Sequence, residues 1–122
     1  MLNHTRHGGT FGAKEAMAVC DAMVSSGLRD KGYRFINLDA GWEKNVPRLE
    51  NGSIVVDSNL FPDGIAAVAD YVHSKGMYLG IYTSRGKTTC GGWDRPGSEG
   101  YEYLDAAQCA FCGCTVSIAF RV

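Results

Sequence analysis

Three times along the chain a segment with helical apolar spacing runs into a glycine and then into a short apolar strand, with the units about 40 residues apart. In the first unit, 13–26, Ala16, Met17, Cys20, Met23 and Val24 fall on one helical face and Gly27 suits a C′ position. "RFINLD" then reads as a buried strand through Phe35, Ile36 and Leu38. In the second, "FPDG" opens a helix over 64–75 with Ile65, Val68, Ala69 and Val72 aligned, Gly76 ends it, and "MYLGIYTS" is the strand. In the third, 101–111 reads as a helix and "TVSIAFRV" as a strand. Successive units of this kind imply an α/β fold whose strands are parallel.

The connections choose between architectures. Residues 43–60 are polar and broken by Pro47 and "NGS", and "RGKTTCGGWDRPGSEG" is a long Gly-rich loop. Both follow the C-terminal ends of strands, where a (β/α)₈ barrel carries its active site, although a doubly wound sheet gives the same local pattern. A whole barrel takes about 250 residues, so 122 residues can hold a partial TIM barrel of about three βα units.

Composition narrows the class. The chain is 45% apolar and 20% charged, as an ordinary globular domain is. A net charge of −1 without runs of like charge argues against nucleic acid as partner, and no apolar stretch is long enough for a membrane span. No signal peptide is visible in "MLNHTRHGGTFG". Five cysteines leave one unpaired in any fully oxidised form, while sequons at Asn3 and Asn51 would fit a secretory route.

Several residues carry chemistry worth weighing. Asp39 stands where the first strand runs out, either as a ligand group or as a carboxylate capping the next turn. Trp42 could stack on a sugar face or pack into the loop base, and Tyr82 ends the second strand in the equivalent place. His73 reads as a surface histidine. Cys109, Cys112 and Cys114 offer three sulfurs but no second pair of ligands, so no metal site is expected. "RGKTTCGG" lacks the phosphate-loop spacing, and no cofactor is expected.

"DAMVSSGLRDKGYRFINLDAGW", "FPDGIAAVADYVHSKGMYLGIYTSRGKTTC" and "PGSEGYEYLDA" together resemble the catalytic domain of the α-galactosidase family of retaining glycoside hydrolases, which includes α-N-acetylgalactosaminidases. The resemblance runs over about 17–108 and implies a (β/α)₈ barrel. It implies hydrolysis of terminal α-D-galactosyl groups from oligosaccharides or glycolipids, with no cofactor. It also implies a secreted or lysosomal or vacuolar setting, and it allows the full-length enzyme to be a homodimer. Asp39 matches the first of two adjacent sugar-binding aspartates, and Ala40 stands in place of the second. Tyr82 matches a tyrosine of the sugar subsite. Cys90 matches a cysteine that the family bridges to one just after the nucleophile.

Two departures set the expectations for activity. "MLNHTRHGG" replaces the family's first strand with its sugar-contacting tryptophan. After "YLDAAQ", ungapped alignment puts Cys109 and Cys112 at aromatic positions, Ile118 at a lysine and Phe120 at the nucleophilic aspartate. A retaining glycosidase needs two carboxyl groups about 5–5.5 Å apart, and the acid/base group lies beyond Val122. Residues 1–122 are thus expected to be the N-terminal portion of such an enzyme, inactive alone, with 109–122 departing from the family. A non-catalytic galactose-binding chain that keeps Asp39, Trp42 and Tyr82 is the alternative.

Overall fold

The computed structural model describes residues 11–89 and 95–119, with side chains up to Cys114. Helix α1 spans Ala13–Ser25, strand β1 Phe35–Leu38, helix α2 Gly64–Ser74, strand β2 Tyr78–Ser84, helix α3 Glu102–Phe111 and strand β3 Thr115–Ala119. A single 3₁₀ turn, Arg29–Lys31, joins α1 to β1. The three strands form one sheet in the order β1-β2-β3, parallel throughout. Each expected helix and strand is present, within a residue or two at its ends; the stretch of the third strand beyond Ala119 lies outside the described residues.

Local chemistry explains where the elements begin and stop. Glu15 reaches back to accept the Gly12 N–H at 2.9 Å, one half of a capping box at the start of α1, since a glycine N-cap has no side chain to return the bond. Gly12 is required there for another reason. A Cβ would collide with the Leu60 carbonyl, the same carbonyl that accepts the Ala13 N–H at 2.9 Å. The start of α1 is thus stitched to the end of the loop that precedes α2.

The helices bury one face of the sheet. Ala16 and Cys20 from α1 meet Ile65, Val68, Ala69 and Val72 from α2 over Ile36, Leu38, Leu79 and Ile81 of the strands. Strand side chains alternate, so the other face carries Phe35, Asn37, Tyr78 and Tyr82. Phe35 was expected to be buried and is 53% exposed, packing its ring against Tyr78 at 5.2 Å between centroids. The reason is the pleat: with helices on one side only, every second residue of an apolar strand stays outside the core.

Candidate ligand-binding edge

The loops at the C-terminal ends of β1 and β2 build the candidate site. The pairing Leu38↔Ile81 brings the next residues, Asp39 and Tyr82, level on adjacent strands. By the same alternation both belong to the face that the helices leave open. The register continues from Tyr82 to Ser117 on β3.

Asp39 takes the turn-capping role that its position allows. Its Oδ1 accepts the Ala40 N–H at 2.7 Å and so holds the turn, while the side chain stays exposed. The turn continues through Gly41, whose φ of 117° favours a residue without Cβ. Trp42 then dives into the core at 6% exposure, and its indole N–H donates to the Tyr82 carbonyl oxygen at 2.8 Å. An open stacking face is therefore absent from Trp42. It is a brace that ties the loop after β1 to the end of β2, and the site's two presented groups are Asp39 and Tyr82. Cys90 and Phe120 lie outside the described residues. His73 is exposed on α2, with its ring 6.4 Å from that of Tyr78.

Two buried polar clusters support this edge, and neither is visible in the sequence. Glu43, 1% exposed, accepts the Gly41 N–H at 3.1 Å and the Thr89 hydroxyl at 3.1 Å. Burial raises its pKa above the ordinary carboxylate value, an effect partly offset by the hydrogen bonds it accepts and by the charge of Arg95. Glu43 links the turn after β1 to the loop after β2.

The second cluster centres on Arg48 and Asp105. The guanidinium makes a bidentate pair with the carboxylate at 2.6 and 2.7 Å, and also donates to the carbonyls of Gly52 and Gly97, each at 2.8 Å. Ser98 donates to Asp105 at 2.6 Å and shares a 2.7 Å hydrogen bond with Thr83. The Tyr101 ring covers the guanidinium at 4.2 Å. One ion pair thus joins the loop after β1, the loop after β2 and the first turns of α3.

Between α3 and the sheet lies a small apolar cavity of about 20 Å³, lined by Trp42, Ile54, Ile81 and the three cysteines Cys109, Cys112 and Cys114 among others. These thiols are free. Among the described residues no group of three or more histidine, cysteine or acidic side chains is arranged to hold a metal ion.

The fold and edge define an α/β protein with loop-borne groups at the carboxyl ends of parallel strands. A family model described as alpha galactosidase A matches residues 10–118, and the chain belongs to that family. It is 49% identical over 108 residues to alpha-galactosidase A of Cellvibrio japonicus, covering 85% of this chain and 26% of that one. It is 50% identical over 93 residues to alpha-galactosidase 2 of Arabidopsis thaliana, covering 76% and 23%. Among solved structures, alpha-galactosidase I from Mortierella vinacea superimposes with a TM-score of 0.84 at 34% identity, covering 90% of this chain and 27% of that one. The Saccharomyces cerevisiae enzyme solved with raffinose gives 0.83 at 33% identity, over 90% and 24%. The chain therefore spans about a quarter of the length of its curated relatives.

Proposed function

We propose that the chain supplies one sugar-binding edge of a retaining α-galactosidase barrel, with Asp39 and Tyr82 as its contacts to a terminal galactosyl group. The observation that supports this most directly is the level placement of Asp39 and Tyr82 on the open face, at the strand ends. A carboxylate there accepts hydrogen bonds from vicinal hydroxyls, and such charge-assisted bonds are worth about 1.5–3 kcal/mol each. Trp42 and Glu43 hold the turn that presents Asp39, and contribute position rather than contact. Cys90 adds to the site through a disulfide of the longer protein.

In this reading the sheet is part of a (β/α)₈ barrel whose remaining strands pair with its edges and enclose the Phe35–Tyr78 face. Such an enzyme acts on galactosyl carbohydrates, in a secreted or vacuolar setting, and it pairs as a homodimer. Catalysis needs two further carboxyl groups, and Phe120 at the nucleophile position cannot attack an anomeric carbon. The 122 residues bind but do not hydrolyse.

Calorimetric titration with D-galactose tests the site, alongside nitrophenol release from the aryl α-galactoside. The expected result is saturable binding that Asp39→Ala abolishes and that Ala40→Asp tightens by about tenfold or more, one added charge-assisted bond being worth roughly 1.5–3 kcal/mol. No nitrophenol should appear. Hydrolysis that Asp39→Ala removes would overturn the assignment of inactivity. Absence of galactose binding in a cooperatively folded chain would overturn the site itself.

A further inference from the structure

The C-terminal end of α3 brings two cysteines together by backbone geometry. The Cys114 N–H donates to the Cys109 carbonyl at 3.0 Å and the Gly113 N–H to the Ala110 carbonyl at 3.1 Å. Gly113 has a left-handed φ of 71°. Those three observations define a Schellman cap, in which Cys109 is C3 and Cys114 is C″. Side chains at C3 and C″ of such a cap frequently meet as an apolar contact. Here both are thiols, and both line the cavity under Trp42 and Ile81.

We propose that Cys109 and Cys114 are a thiol–disulfide couple that clips the last turn of α3 to the start of β3. A small disulfide such as oxidised glutathione is the oxidant. One protein thiolate attacks a sulfur of the small disulfide, forms a mixed disulfide and expels one small thiolate. The second protein thiolate attacks the protein sulfur of that mixed disulfide, closes the Cys109–Cys114 bond and expels the other small thiolate. The two protons leave with the two small thiols, and two electrons pass from the chain to the oxidant.

Geometry favours this pair over Cys109 with Cys112. Residues three apart on a helix hold their Cβ atoms about 5–6 Å apart, while a disulfide needs about 3.5–4.5 Å. Burial sets the rate. It pushes the Cys109 thiol up to about 11 and the Cys114 thiol up to about 12. Little thiolate is then present at neutral pH, so oxidation is slow and accelerates about tenfold per pH unit between pH 7 and 9. The consequence reaches the ligand edge, because β3 pairs with β2 through Tyr82↔Ser117. Oxidation fixes the turn from which that strand starts.

The test equilibrates the full chain with oxidised and reduced glutathione, quenches with acid, and alkylates free thiols in denaturant. Chymotryptic cleavage after Phe111 then separates Cys109 from the other two cysteines of the cluster. The expected products are a Cys109–Cys114 linked pair, about 2 Da lighter than the two reduced peptides together, and an alkylated Cys112. Cys112→Ser keeps the link and Cys114→Ser removes it. Alkylation of both Cys109 and Cys114 at every glutathione ratio overturns the proposal. So does a link from Cys109 to Cys112 or to Cys90.

Discussion

Asp105→Ala is the perturbation whose cost can be reasoned most fully. It leaves the Arg48 guanidinium, whose side chain is 9% exposed, without its bidentate acceptor while still bonded to the Gly52 and Gly97 carbonyls. Ser98 also loses its acceptor and keeps only Thr83. Removing one partner of a buried pair costs about 3–5 kcal/mol, because an uncompensated charge remains in a low-dielectric setting. Over 122 residues, the usual unfolding entropy of about 2 cal/mol/K per residue makes that a fall of about 12–20 °C in Tm.

Urea and thermal unfolding followed by circular dichroism measure the loss. The control is the double variant Arg48→Met with Asp105→Leu, which removes both charges and keeps apolar volume. Replacing a buried pair by apolar residues is often neutral or better, but here two loop carbonyls also lose their donor. The double variant should therefore recover most, not all, of the stability lost by Asp105→Ala. Were Asp105→Ala to cost under about 1 kcal/mol, the pair would behave as a solvated surface bridge. Were the double variant as unstable as the single one, the loss would come from packing rather than from a stranded charge. Either result would refute the argument.

Glu43→Gln should change how stability depends on pH. The folded pKa of Glu43 lies above its ordinary value near 4.5, so its contribution is full below that value and is lost as pH rises through the folded pKa. A glutamine can accept from Gly41 and donate to the Thr89 hydroxyl; the urea midpoint of the variant should fall less than that of the wild type between pH 4.5 and 7, and parallel curves would contradict this. Gly97→Ala drives a Cβ into the Gly86 carbonyl, a backbone atom that cannot swing away, and should cost about 1–3 kcal/mol by the same unfolding assay. Trp42→Phe removes the donor to the Tyr82 carbonyl and should lower stability by about 1–3 kcal/mol while also weakening galactose binding; an unchanged binding constant would mean that Trp42 does not position the edge.

How much of this was legible in the sequence follows from the range of each interaction. Helix α2 was read residue by residue, because its four buried positions, Ile65, Val68, Ala69 and Val72, repeat at a spacing set within the helix itself. Asp39 was legible as a choice between turn and ligand group; its backbone bond to Ala40 gives it the turn role, and its exposure leaves the carboxylate open to a ligand. Phe35 misled because strand propensity reports a fit to the pleat and not which face is covered; that depends on helices remote in the chain. Arg48 and Asp105 stand 57 residues apart, one in a polar loop and the other on the buried side of α3. Each alone is an ordinary surface charge, and only the sheet register and both loops bring them within hydrogen-bonding reach. Glu43 has the same history with Thr89, 46 residues away. Candidate ligand groups could thus be suspected from strand ends, whereas the residues that hold the turns at those ends in place are long-range partners. Such partners carry no local period, and they appear only once the chain is folded.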